Sequence, residues 1–401
     1  MKYHNPIITG FHPDPSVCRV GNDFYLVNSS FEYFPGIPIY HSTDLTHWEQ
    51  IGHVLDRKNQ LKLVSGAPNC LGIYAPTIRY HEGIFYCIVT NVGGRSGGNF
   101  FVYTTDPYGR WSNPVKLPFA GIDPSLFFDE DGKIYYTGTD TGIYIAEITF
   151  DVVRNDTPKR NELPVSIQNV KCGEKHYIWN GSGGNNPEGP HLYRIHDMYY
   201  LMIAEGGTEY CHMVTIARSK NVYGPYEACP HNPVLSNRST CLNIKAIGHA
   251  DLVEDSQGSW WAVCLGIRPL GYPFRHNLGR ETMLAPVKWE NGWPVMGDNG
   301  TVTETFEVET APGKKTRKSD FYIPGSNMTD TFCSNKLHPS WNTIYTPVSK
   351  FVKPTKQGLS LCAYDTTLSD DKPKAILVRR QEHFHFTATA TLTLESVNAG
   401  S

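Results

Sequence analysis

Three carboxylates in this 401-residue chain stand beside residues that stiffen a backbone: Asp14 between Pro13 and Pro15, Asp123 before Pro124, and Glu188 between Pro187 and Gly189. Proline fixes its own φ and restricts the residue before it, so each carboxyl sits on a constrained, non-helical platform. Groups held in this way suit cleavage of a glycosidic bond. That reaction takes one acid of raised pKa to protonate the leaving oxygen and one carboxylate on the opposite face of the sugar. A third carboxylate also has a use, because a negative neighbour raises the pKa of the acid and can orient it. On this reading Asp14 is the base, Glu188 the acid and Asp123 the group that tunes the acid. One Asp-Pro or Pro-Glu turn alone would mean little; three at matching places in a repeat mean more.

The elements that must position them form such a repeat. A Pro-flanked or polar residue, an apolar run, a Gly/Asp/Asn turn and an aromatic run recur five times: 13–17 before 21–26, 75–78 before 82–86, 123–126 before 131–135, 188–192 before 196–200, and 250–253 before 257–261. The units start 48 to 65 residues apart. Aromatic and β-branched runs on either side of a tight turn signal a hairpin. Each unit has room for about four strands, the make-up of a propeller blade. The expected fold is therefore all-β: a five-bladed β-propeller over residues 1–300, its innermost strands lining a central channel. Asp14, Asp123, Glu188 and Asp251 precede the turn residues Asn22, Asp131, Asp197 and Gly258 by seven to nine residues, which marks them as equivalent positions meeting at one end of the axis. A β-sandwich with coincidental turns is the competing architecture.

Composition agrees with an uncharged ligand. Lys plus Arg number 36 against 39 Asp plus Glu, a net charge of −3, which leaves no footprint for polyanions and argues against nucleic acid or an acidic membrane as partner. The 36 Gly and 28 Pro with 12 % aromatic residues fit short strands, tight turns and an aromatic pocket. The N-terminal residues lack the apolar core of a signal peptide and no long apolar window occurs, so a cytoplasmic location is expected. Ten cysteines without a C-x-x-C pair are expected to be reduced and mainly in the core. Residues 301–327 read as a linker whose basic run, Lys314 to Lys318, is a solvated loop. From residue 328 to 401 a second β-pattern, with runs at 359–364, 376–378 and 387–394, reads as the N-terminal part of a truncated β-sandwich. Two readings stand for that half-sandwich: a fragment or shortened form with a more open pocket, or an exposed sheet edge completed by a partner chain, as in a homo-oligomer.

Several segments together resemble glycoside hydrolase family 43, and within it the β-xylosidase/α-L-arabinofuranosidase branch. They are residues 10–16 (GFHPDPS), 29–36 (SSFEYFPG), 41–45 (HSTDL), 74–80 (YAPTIRY), 123–127 (DPSLF), 187–193 (PEGPHLY), 204–208 (AEGGT) and 278–282 (LGRET), with a weaker continuation at 379–384 (RRQEHF). The resemblance implies a five-bladed propeller and an inverting mechanism with Asp14 as general base, Asp123 as pKa modulator and Glu188 as general acid. It implies exo-acting release of terminal β-D-xylosyl or α-L-arabinofuranosyl units from small xylo- or arabinoxylo-oligosaccharides, with no cofactor required. Arg280 is expected to reach both substrate and the modulating carboxylate, Thr208 to contact substrate, and Phe31, Phe34 and Tyr74 to wall the pocket; the family often carries Trp where Tyr74 stands. His249, expected to start the fifth inner strand, resembles a channel histidine that some members place beside a calcium ion or water; a hydrogen-bonded core histidine is the other reading. Two rivals remain open. A retaining, fructan-cleaving propeller would set its carboxyls about 5–5.5 Å apart, against about 6.5–9.5 Å for inversion. A non-catalytic sugar-binding propeller would have no need of the three carboxylates.

Overall fold

The computed structural model describes residues 2–63, 70–93, 97–307, 321–334, 336–345, 347, 350–370 and 374–393, and the basic run at 314–318 lies outside them. No α-helix occurs among the described residues. Five antiparallel sheets follow one another along the chain. Their innermost strands are Ser16–Val20, Thr77–His81, Ile122–Phe128, Glu188–Ile195 and Lys245–Glu254. Each touches the next around a ring that closes from the fifth strand back to the first, which makes the sheets the blades of a propeller. Each inner strand pairs through a tight turn with an aromatic-rich second strand, as the repeat predicts.

The second strands read as unbroken apolar runs because both of their faces are buried. In Asp23–Val27, Phe24 and Leu26 point to the cluster shared with blade 5, while Tyr25 and Val27 point to the cluster shared with blade 2. In Ile84–Val92, Phe85, Cys87 and Val89 join the blade 1 side and Ile84, Tyr86 and Ile88 the blade 3 side. This is the period-two alternation of a strand repeated between every pair of neighbours, so the core is five wedges, one at each blade interface.

The ring is closed by hydrogen bonds to the N-terminal segment. Lys2–His4 pairs antiparallel with Thr305–Glu307, Ile7 and Ile8 donate to the Thr282 carbonyl, and buried Asn5 bonds Leu284 and Thr303. The stretch expected as a linker is thus partly structural. Its Thr305–Glu307 completes the closure, and buried Tyr322 bridges to Gln50 and donates to Glu382.

Beyond it, Thr343–Ile344 pairs with Tyr33–Phe34, and Val352–Thr355 forms a hairpin with Gly358–Leu361. The strand expected over 387–394 does not form in its described part, and these residues run exposed and unpaired in any sheet; only Val378 of 376–378 makes a bridge, to Asn342. Alternation alone makes no strand without a neighbour to bond. All ten cysteines are free, but five are exposed (Cys70, Cys211, Cys241, Cys333 and Cys362), so the core expectation holds for only part of the set.

Candidate active site

Counting back eight residues from the second residue of each inner hairpin turn (Asn22, Gly83, Asp131, Asp197, Gln257) lands on Asp14, Ala75, Asp123, Gly189 and His249. Four of these five have φ in the left-handed region: 53° at Asp14, 52° at Asp123, 60° at Gly189 and 47° at His249. The ladder slips at the same places, between Ile122 and Ser125, Glu188 and His191, and Gly248 and Asp251. The irregular backbone at these positions aims Asp14, Asp123 and His249 toward the mouth of the channel, and such strained positions gather at active sites.

The equivalence expected from sequence is corrected in two blades. Glu188 stands one residue before the ring position, which Gly189 occupies; a Cβ on Gly189 would come within 3.0 Å of the His249 ring. Asp251 lies two residues deeper. It accepts from Arg79 at 2.7 and 3.1 Å, from Ser16 at 2.6 Å and from Tyr193 at 2.6 Å, binding blades 5, 2, 1 and 4 together below the site. His249 is not the start of its strand, which begins at Lys245.

Asp14 is set by a turn that is fastened on all sides. The His12 carbonyl accepts from Asn28 and Thr282, the Pro13 carbonyl from Asn28 and Ser29, and His12 N–H donates to Gly10 and Arg280 carbonyls. Arg380, from the C-terminal segment, donates to the Phe11 carbonyl at 2.7 Å. Gly10 is needed there: its φ is +85° and a Cβ would meet the Gln381 carbonyl at 2.5 Å. The Asp14 carboxylate accepts from Arg280 Nη1 at 2.8 Å and Ser29 Oγ at 2.6 Å, with His249 Nδ1 at 3.9 Å. Burial would raise its pKa, but Arg280, His249 and Ser29 outweigh burial and hold it below the usual carboxylate range.

Glu188 and Asp123 are driven the other way. Burial, then the charge of Asp14, pushes Glu188 up to about 7 against the opposing pull of Arg280. Asp123 also rises, through burial and then the charges of Glu188 and Asp14, although Gly189 N–H donates to it at 3.2 Å. The pair therefore keeps a proton near neutral pH. Glu188, with 18 % of its side chain exposed, is the member that can deliver it.

Its platform is held from blade 3 and from within its own blade. Thr139 and Thr137 of blade 3 donate to the Pro187 and Pro190 carbonyls, and fully buried Glu205 accepts from Ser182, Gly184 and Thr215, fixing the loop that leads into Pro187.

Of the other expected residues, Phe31 and Tyr74 form an aromatic wall with Phe11, at ring distances of 5.6 and 5.4 Å from Phe31, and the Arg280 guanidinium lies 5.4 Å over the Phe31 ring. Tyr74 is half-buried, and its hydroxyl is raised by burial and by nearby groups that include Asp123 and Asp14. Phe34 is not a wall. Its ring is buried in the blade 1–2 core with Ile37 and Leu55, and its backbone pairs with Thr343. Arg280 bonds Asp14 rather than the modulating Asp123. Thr208 is exposed, and no contact joins it to the three carboxylates among the described residues.

Sequence reasoning passed over Ser29, Gly189 and His212. His212 is buried, its ring seated where a Cβ on Gly248 would clash, with Nε2 unpartnered and 3.9 Å from Glu188 Oε1. Nothing local marks it, because it lies at the entry to the third strand of blade 4, far along the chain from the motifs.

Donor atoms of Asp123, Glu188 and His249 lie within 4.8 Å of one another. These three, one of them a nitrogen, fall short of the six to eight oxygen ligands that calcium takes.

Comparison with known proteins agrees with this geometry. The profile described as "Glycosyl hydrolases family 43" matches residues 3–294, and that described as "Beta xylosidase C-terminal Concanavalin A-like domain" matches residues 329–401. The chain is 44 % identical over 397 residues to a non-reducing-end α-L-arabinofuranosidase of Bacteroides ovatus, covering 97 % of this chain and 70 % of that protein. It is 35 % identical over 410 residues to a β-xylosidase of Bacillus subtilis, covering 97 % and 73 %. Among solved structures, a xylan β-1,4-xylosidase of Bacillus halodurans superposes with a TM-score of 0.80 at 34 % identity, over 96 % of this chain and 72 % of the other.

Proposed function

Because the chain belongs to glycosyl hydrolase family 43, we propose that it is an exo-acting inverting glycosidase that removes terminal β-D-xylosyl or α-L-arabinofuranosyl units from short xylan-derived oligosaccharides. The observation that carries this is the gathering of Asp14, Asp123 and Glu188 at one channel mouth in unlike surroundings: Arg280 at 2.8 Å and Ser29 favour the ionised form of Asp14, while burial and the charge of Asp14 raise Glu188 to about 7. Both sugars offer similar hydroxyl patterns to one pocket, and the relatives' names cover both activities.

Asp14 takes a proton from a water as that water attacks the anomeric carbon, and Glu188 gives its proton to the leaving oxygen as the glycosidic bond breaks. Asp14 ends protonated and Glu188 ionised, and exchange with solvent restores both. Arg280 keeps Asp14 ionised beforehand, and its remaining N–H groups are free to meet sugar hydroxyls. Burial and the charge of Asp14 make ionisation of Glu188 unfavourable until the leaving oxygen demands the proton. The test is hydrolysis of xylobiose and of an α-L-arabinofuranosyl-substituted xylo-oligosaccharide, whose leaving groups need a proton, by Asp14→Ala and Glu188→Ala, with folding checked by circular dichroism. Each variant should be folded and inactive; near-wild-type turnover by either overturns the assignment.

A further inference from the structure

Four apolar side chains lie uncovered on two adjoining segments, 206–212 and 268–280: Tyr272 is 90 % exposed, Leu270 56 %, Phe274 40 % and Tyr210 37 %. Three of them are aromatic rings organised against one another, with Tyr210 and Phe274 at 5.1 Å and Tyr272 and Phe274 at 6.0 Å. The Tyr210 hydroxyl donates to the Phe274 carbonyl, and Lys245 lies 5.5 Å from the Phe274 ring. A bridge from Leu270 to Arg275 pins the loop at its neck.

The shelf is tied to the site at both ends of its loop. Arg268, at the loop's start, is bonded to buried Glu281 at 2.7 and 2.9 Å, and Glu281 in turn accepts from Gly10 N–H. Arg280, at its end, holds Asp14.

The side of the site on which the shelf lies can be assigned. Tyr210 is two residues from His212, which puts their Cα atoms within about 7 Å, and His212 Nε2 is 3.9 Å from Glu188 Oε1. Lys245, under Phe274, begins the same inner strand that carries His249. The aromatic wall of Phe11, Phe31 and Tyr74 instead accompanies Asp14 and Arg280. A general acid faces the leaving group, because it protonates the leaving oxygen. Exposed aromatic area of this kind marks a ligand-binding surface, and ring faces pack well on the C–H faces of a pyranose.

We propose that Tyr210, Tyr272 and Phe274 form a leaving-group subsite that stacks a pyranose ring of the remaining oligosaccharide, so that the enzyme selects for what its terminal sugar is attached to. This rests on the assignment of Glu188 as acid. The shelf takes an uncharged ring: Lys245, the cation against the Phe274 ring, already donates to the Thr240 carbonyl at 2.7 Å.

The test compares wild type, Tyr272→Ala, Phe274→Ala and the double variant on two donors of the preferred terminal sugar: its glycosyl fluoride, whose leaving group has no ring, and the same sugar linked to xylobiose. The proposal expects kcat/KM on the xylobiose conjugate to fall about three- to tenfold in each single variant, as for loss of an aromatic contact, with the fluoride unchanged within about twofold. Equal losses on both donors would mean damage to the catalytic centre, and no loss on the conjugate would mean an idle shelf; either result overturns the proposal. Wild type inert toward both donors refutes the glycosidase reading itself, and the subsite falls with it.

Discussion

Replacing Glu188 by Gln should make the protein more stable above neutral pH while removing most of its hydrolysis of unactivated glycosides. The pKa of Glu188 is raised from 4.5 to about 7, which corresponds to about 3 kcal/mol against ionising it in the folded state. The sign follows from proton uptake. Below pH 4.5 the carboxyl is protonated both folded and unfolded, and it contributes nothing to pH dependence. As pH rises from 4.5 to 7 the folded protein keeps a proton that the unfolded chain releases, so wild-type stability declines through this window and levels off above it. A glutamine side chain has no such proton to lose. The advantage of Glu188→Gln should therefore be near zero at about pH 4.5 and reach about 1–3 kcal/mol at about pH 8, the upper figure being a ceiling. It is a ceiling because 18 % of the side chain is exposed and the ionised carboxylate can turn toward water. Urea unfolding of both proteins at the two pH values measures the gap. The same variant should lose about 10²- to 10⁴-fold in kcat on a xylosyl leaving group and much less on dinitrophenolate, which departs without a proton. A gap of equal size at both pH values would refute the reasoning, since it would mean that burial and Asp14 do not hold a proton on Glu188.

Arg280→Ala should shift both limbs of the pH–rate profile to higher pH, because its guanidinium lowers both Asp14 and Glu188; kcat/KM should fall about 10- to 100-fold with loss of a charge-assisted hydrogen bond. Limbs that stay in place would contradict the ion pair at 2.8 Å. Gly189→Ala, at φ +60° and against the His249 ring, should cost about 1–3 kcal/mol in urea unfolding. A cost below about 0.5 kcal/mol would argue against the bulge. Exhaustive dialysis against EDTA should leave kcat within about twofold of the untreated enzyme; a large loss restored by calcium would show that Asp123, Glu188 and His249 hold a cation with help from other ligands.

Most of the fold could be read from the chain because a propeller repeats its signal. Each inner hairpin restates the same turn and the same doubly buried second strand, and the offset of eight residues is regular enough to find Asp14 and Asp123 without a structure. The same regularity misled where function departs from it. Gly189 and His249 occupy ring positions but carry no carboxylate, so a search for acids slid to Glu188 and Asp251, one residue before and two after. Phe31 and Phe34 are three residues apart with similar surroundings in sequence; only the backbone at Phe31, with φ +47° and a bridge to Ile73, sends one ring to the mouth and leaves the other in the core. Ser29, His212 and Arg380 act through contacts made when distant segments meet, a kind of information that periodicity does not hold. The alternation at 387–394 shows the converse: a strand pattern needs a partner as well as a period.

Inversion requires Asp14 and Glu188 to act from opposite sides of the sugar. Proton NMR of the first-formed product tests it most directly, by recording the anomeric signals of xylose during the opening minutes of β-xyloside hydrolysis, before mutarotation mixes them. Inversion gives α-xylose first, with the β-anomer growing in afterwards, and the corresponding β-first order for an α-L-arabinofuranoside. Initial release of β-xylose from the β-xyloside would mean retention through a glycosyl-enzyme and would contradict the roles assigned to both carboxylates.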